Sequence, residues 1–199
     1  MTSLSFVLSM VAMAWLAGVP VEQKAAPPAP PPPAAETFDL TATASAGPSA
    51  VGTLTVPIVV QVDRYTPAHA RTTMTDALKY QGYPGFLNAL REAPIAGSLT
   101  IGDQKWVIRW ARQQPNESGR IISIVTDKPV AFVGGGRTDA KPKAGYEVAV
   151  AQFTLDKSGH GTGTMAAAAR VKPGGETGVR IDDYAETPVK LTAAVRTQK

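Results

Sequence analysis

The stretch from Gln104 to Asp127 constrains the fold more than any other. It reads Gln-Lys-Trp-Val-Ile-Arg-Trp-Ala-Arg-Gln-Gln, a turn at Pro115 to Gly119, then Arg-Ile-Ile-Ser-Ile-Val-Thr-Asp. A period of two puts Trp106, Ile108 and Trp110 on one face of a strand and Lys105, Val107, Arg109 and Ala111 on the other, the pattern of a half-buried strand. The second limb, Ile121 to Val125, carries β-branched residues on both faces and reads as a central strand covered on two sides. Two of the 3 tryptophans therefore fall in one hairpin, and each brings a large apolar area to whatever core it joins.

The rest of the chain after residue 36 extends this β pattern. Phe38, Leu40, Ala42 and Ala44 alternate with polar residues in a first strand. Leu54, Val56, Ile58, Val60 and Val62 do so in a second, where Pro57 removes a ladder donor and implies an edge position or a bulge. Further strands are expected at Ser98 to Ile101, Val130 to Val133, Tyr146 to Leu155, Gly161 to Val171, Val179 to Ile181 and Val189 to Val195. Asp156-Lys157-Ser158-Gly159 reads as a type I turn with glycine in the left-handed position. Short connections after Gly97 predict mostly antiparallel, sequential pairing. Gly161 to Val171 is lined with small residues that permit close approach by another element.

Helical signals lie between Thr66 and Glu92. Thr66 reads as an N-cap with Pro67 at the first helical position, and Ala70, Met74, Ala77 and Leu78 form an apolar stripe. Gly82 is expected to end this helix, and Pro84 to open a second one whose Phe86, Leu87 and Leu90 face the core. The pair is expected to cover one face or end of the sheet.

The N-terminal part has a different character. Leu4 to Val19 is apolar apart from two serines, as in the hydrophobic region of an export signal, although no Lys or Arg precedes it. Residues 1 to 20 are expected to be a signal peptide or an N-terminal membrane anchor. Residues 21 to 36 form a Pro/Ala-rich linker whose tract from Ala25 to Ala35 favours polyproline II and spans roughly 34 Å. Residues 37 to 195 are then one β-rich domain.

Chemistry is sparse. The chain has 199 residues, a formal net charge of +4 and no cysteine, which excludes disulfides, thiolate metal sites and a cysteine nucleophile. Lys and Arg are scattered singly, without the basic run that tracks a phosphate backbone, so no nucleic-acid partner is expected. His69 and His160, the 2 histidines, have no ligand at metal spacing, and no metal or cofactor is expected. Asp182-Asp183 in a strand would point to opposite faces, which argues against an acid/base pair. Gly134-Gly135-Gly136 lacks the following Lys-Ser/Thr of a phosphate loop, and Asn116-Glu117-Ser118 matches a glycosylation triplet. No catalytic residue stands out. The least ordinary cluster is Trp106, Arg109, Trp110, Arg112 and Asp127, where Arg112 would end the aromatic row and either stack there or pair with a carboxylate such as Asp127, as a rim ion pair or as the floor of a ligand pocket.

Arg64-Tyr65-Thr66, Arg109-Trp110-Ala111-Arg112, Gly119-Arg120-Ile121, Thr126-Asp127-Lys128-Pro129 and Pro188-Val189 resemble segments of a group of uncharacterised exported bacterial proteins of similar size. The resemblance spans Thr37 to Val195. It implies an extracytoplasmic bacterial address and no reaction.

These readings combine into an α+β, mainly β protein: an antiparallel curved sheet or incomplete barrel with a two-helix insertion after the second strand. The expected role is a non-enzymatic binding or interaction module of the cell envelope, periplasmic or secreted. Its partner is a small apolar or acidic ligand or an envelope protein, and the membrane is touched only through the N-terminal segment if that is uncleaved. The alternative is a hydrolase-like enzyme with a site assembled from residues remote in sequence, marked by His69 or His160 in reach of Asp127, Asp182 or Asp183.

Overall fold

The structure is a computed structural model, and it describes residues 35–45, 53–130, 144–175, 178–185 and 187–196. The segment expected to direct export, the proline-rich tract expected to be a linker, the expected strand beyond Val130 and the Gly134-Gly135-Gly136 loop lie outside the described residues.

Nine strands and one helix follow in the order β1 (Glu36–Ser45), β2 (Thr53–Val62), α1 (Ala68–Glu92), β3 (Gly97–Ile101), β4 (Gln104–Pro115), β5 (Gly119–Thr126), β6 (Val148–Asp156), β7 (His160–Pro173), β8 (Val179–Tyr184) and β9 (Val189–Val195). The sheet order is β6-β5-β4-β3-β2-β1-β9-β7-β8, and a further pairing of β6 with β7 closes the ring. All pairings are antiparallel. The barrel is thus closed, not incomplete. The closing strand is β7. Its first half pairs with β9 from His160 to Met165, and its second half, from Ala169, pairs with β8.

The alternation in the strands supplies the interior. Phe38, Leu40, Ile58, Val60, Leu99, Ile108, Ile122, Ile124, Phe153 and Leu191 belong to one buried cluster inside the ring, and Phe38 meets Phe153 edge-on at 5.3 Å between ring centroids. Eight strands leave an interior of a width that side chains can fill. Pro57 lies beyond the reach of β3, which pairs only with Val59 to Val62, so β2 is locally an edge there. That matches the expectation for a missing ladder donor.

A second cluster lies outside the ring. Met74, Leu78, Phe86, Leu87 and Leu90 of α1 bury Trp110, Val125, Val148, Val150, Ala166 and Ala169 on the outer faces of β4 to β7. The small residues of β7 serve that approach. The expected helical pair is instead one helix, and the break foreseen at Gly82 is a kink within it (φ 72°, ψ −168°). That conformation belongs to glycine. Pro84 follows two residues later and is accommodated because the kink has already displaced the preceding turn. Thr66 is not the N-cap either: Pro67 holds that position without a side-chain cap. The Thr66 hydroxyl accepts from the backbone N–H of Ala111 at 2.9 Å, and the Thr66 N–H donates to the Ala111 carbonyl at 2.8 Å. Thr66 therefore anchors the start of α1 to the barrel wall.

Candidate ligand pocket on the outer barrel wall

The five residues expected to form one cluster are separated by a β-bulge. Ile108 pairs with Thr126 and Trp110 with Val125, so Arg109 is an extra residue in β4. A single inserted residue exchanges the two faces for everything beyond it. Trp106 packs on the inner cluster, to which Ile108 and Ala111 belong, while Trp110 enters the outer one. The tryptophans do not share a face.

The bulged Arg109 takes the ion pair. Its Nε lies 3.3 Å from Asp127 Oδ2, and its Nη1 donates to the Ala93 carbonyl at 2.7 Å, at the C-terminal end of α1. The pairing of Arg112 with Asp127 does not form. Arg112 lies opposite Ser123 in the β4–β5 register. It approaches Arg71, whose guanidinium is held below its ordinary pKa by burial and, secondarily, by the charge of Arg112.

On the outer wall, beside Trp110, is a partly open cavity of about 260 Å³. Trp110, Ser123, Val125 and Val150 line it on the barrel side, and Arg180 and Ile181 line it on the β7–β8 hairpin side. Local sequence folds the hairpin over this wall. The turn closes with Gly174 N–H to Gly178 O at 3.2 Å and Gly178 N–H to Gly175 O at 3.3 Å. Gly178 has φ 88°, and a Cβ there would stand 3.4 Å from Thr75 Oγ1 and 4.0 Å from Trp110 Cη2. Glycine at this point lets the turn lie against both α1 and the tryptophan.

Two hydrogen-bonding atoms in the pocket wall are left over. Trp110 is 0% exposed and Ser123 is 4% exposed, yet Trp110 Nε1 and Ser123 Oγ have no hydrogen-bond partner among the described residues. A buried polar group without a partner costs about 1 to 3 kcal/mol. Exceptions of this kind cluster where a ligand or water completes the set. Among the described residues no Asp or Glu lines the cavity, and Arg180 has no ion-pair partner. Sequence reasoning found Trp110 but passed over Ser123, a lone hydroxyl in Ile-Ile-Ser-Ile-Val, which was the available signal. Nothing local to Arg180 or Ile181 announces that β8 will fold back on β4 and β5.

The other candidates are placed elsewhere. His69 and His160 are exposed, and neither imidazole hydrogen-bonds to Asp127, Asp182 or Asp183 among the described residues. Asp182 and Asp183 do not diverge as a regular strand requires, because a bulge between Arg170 and Val171 shifts the β7–β8 register. Arg170 reaches both, at 3.2 Å and 3.8 Å. Lys172 lies 2.5 Å from Asp182, and its hydrogen bond holds that carboxyl below the ordinary range. Tyr146 donates to Asp183 at 2.5 Å, lowering the pKa of Asp183 and raising that of the phenol. These are ion pairs on an exposed ladder. Among the described residues no three His, Asp or Glu side chains gather into a metal site, and no helix is long and apolar enough to cross a membrane. Asn116 Oδ1 accepts from Gly119 N–H at 2.7 Å, so the glycosylation triplet sits in the β4–β5 turn.

Comparison of the chain with protein-family models, curated proteins and solved structures finds no match.

Proposed function

We propose that this chain is a non-enzymatic binding module that takes a small ligand in the cavity between the β7–β8 hairpin and the outer barrel wall. The observation that carries the reading is the pair of orphan groups, Trp110 Nε1 and Ser123 Oγ, on two residues that line one concave, largely apolar surface. Ligand sites combine apolar walls with a few convergent polar groups in this way. A hydrolase is the weaker reading, since among the described residues neither imidazole hydrogen-bonds to a carboxylate, His160 meeting Asp156 through its backbone N–H, and no nucleophile and base stand together. The exported address proposed with this role rests on the apolar segment Leu4 to Val19 and the proline tract, and fractionation of the host cell tests it separately.

Native mass spectrometry of the protein purified from its own host tests the binding reading. The expected result is a small-molecule mass carried by the wild type and lost in Trp110→Phe, with both proteins showing the same far-ultraviolet circular dichroism. A bare protein mass, together with a Trp110 indole N–H resonance unmoved by a small-molecule extract of the host, overturns it.

A further inference from the structure

The chemistry of the cavity wall selects a ligand class, an inference that rests on the binding reading above. Trp110 Nε1 is only a donor, and Arg180 only a donor and a cation. Ser123 and Thr164 offer hydroxyls and Gln152 an amide, each able to donate. Among the described residues none that lines the cavity is an acid. Positive charge also surrounds the site without compensation. Arg112 stands directly opposite Ser123 on the neighbouring strand, where facing side chains lie within about 5.5 Å at Cβ. Arg71 is close enough to Arg112 to feel its charge. Among the described residues none of Arg71, Arg112 and Arg180 has a carboxylate partner. The remaining wall, from Val125, Val150, Val179 and Ile181, is aliphatic. A surface of donors and cations around an aliphatic patch complements a small molecule with an acceptor-rich anionic head and an apolar body.

We propose that the cavity binds a small organic monocarboxylate, its carboxylate facing the Trp110 indole N–H and the Ser123 hydroxyl with Arg180 at the rim, its apolar body against Val125, Val150 and Ile181. Phosphate monoesters fit less well, because a dianion would need more than one cation at the mouth, and among the described residues that line it Arg180 is the one cation, Arg71 and Arg112 not being among them. The indole nitrogen and the hydroxyl oxygen are closed off from solvent, so a carboxylate in the cavity reaches them only with a local shift of the side chains around them.

The test uses the full chain, labelled with ¹⁵N, titrated with 4-methylpentanoate and benzoate and with the matched neutral amides. The indole N–H signal of Trp110 is assigned by its loss in Trp110→Phe. Both carboxylates are expected to move it downfield, as a new acceptor does, and to bind at least about tenfold more tightly than their amides. Arg180→Gln, at an exposed position that leaves folding intact, is expected to weaken the carboxylates about five- to tenfold and to leave the amides unchanged. Equal binding of acids and amides with the indole signal moving overturns the carboxylate assignment and leaves the binding reading standing. No movement with any probe at millimolar concentration overturns the carboxylate assignment, and the host-purified mass then decides the binding reading alone. Tighter binding of inorganic phosphate or a phenyl phosphate than of benzoate overturns it in favour of a phosphate site.

Discussion

At the scale of single residues, Arg109 decides where its neighbours point. As the unmatched residue of the β4 bulge it is held at one end by Asp127 and at the other by the Ala93 carbonyl. The cation at a helix C-terminus is favourably placed against the helix dipole. Its side chain is 22% exposed and that of Asp127 14%, so the pair is screened but not fully solvated. Arg109→Met is expected to lower stability by about 1 to 2 kcal/mol, and Asp127→Asn by less, since the carbonyl contact survives it. A double-mutant cycle from urea unfolding should give a coupling of about 0.5 to 1 kcal/mol. Coupling indistinguishable from zero would mean that the bulge is set by Trp110 packing alone. The same residue explains why the candidate cluster was only half legible. In Trp-Val-Ile-Arg-Trp-Ala-Arg, inward and outward parity look alike on either side of Arg109. A bulge leaves no mark in an alternation that remains plausible after the slip, so the sequence by itself puts Trp106, Trp110 and Arg112 on one face.

At the scale of elements, α1 illustrates a local signal read correctly and a consequence read wrongly. The turns before Gly82 and after it both carry apolar stripes, and the break falls at that glycine. What sequence alone does not fix is whether the chain leaves the helix there. Burial of Met74 and Leu78 on one side of the kink and of Phe86 and Leu90 on the other, all against the same wall, keeps both halves together. A Cβ at position 82 would meet nothing nearer than Pro84 Cδ at 3.9 Å, so substitution there is opposed by backbone conformation and not by crowding. Gly82→Ala is therefore expected to cost about 1 to 3 kcal/mol. The denaturant midpoint should fall with its slope unchanged, and helix content by circular dichroism should stay at the wild-type level. A loss smaller than about 0.5 kcal/mol would show that the kink relaxes into a regular turn. The strands were legible for a similar reason, their alternation being local. Val148 and Val150 do face outward and Ala149, Ala151, Phe153 and Leu155 inward, whereas the division of β7 between β9 and β8 depends on pairings no local pattern encodes.

Closure belongs to the whole molecule. In the ring order, β1 and β5 stand four strands apart on opposite sides of the barrel. Yet Glu36 at the start of β1 accepts two hydrogen bonds from Arg120 Nη1 at the start of β5, at 2.7 Å and 3.0 Å. Tyr65, from the β2–α1 connection, donates to Glu36 at 2.5 Å, and Arg120 also donates to Gln113 of β4 at 3.0 Å and lies over the Phe38 ring. A polar clasp thus spans one end of the barrel above an apolar interior. Sequence showed none of it, because its members are up to 84 residues apart. Burial first, and then the hydrogen bond and charge of Glu36, push the Tyr65 phenol well above the ordinary tyrosine range. Tyr83, a half-buried residue of α1 that donates to the Ala169 carbonyl, is raised as well, chiefly by burial. In the unfolded chain both ionise near pH 10. A phenol that stays protonated in the folded state while the unfolded chain releases its proton stabilises the fold fully below that pH, and the contribution drains away as pH rises above it. The wild type should therefore lose stability on going from about pH 9 to pH 11. Tyr65→Phe should cost about 1 kcal/mol at neutral pH for the lost hydrogen bond, and it should show a shallower alkaline decline. Adding Tyr83→Phe should flatten the decline further. Urea unfolding at a series of pH values measures both slopes. An alkaline decline identical in the wild type and the double variant would mean that neither phenol is held protonated by the fold, and that the Glu36–Arg120 pair closes this end of the barrel without Tyr65.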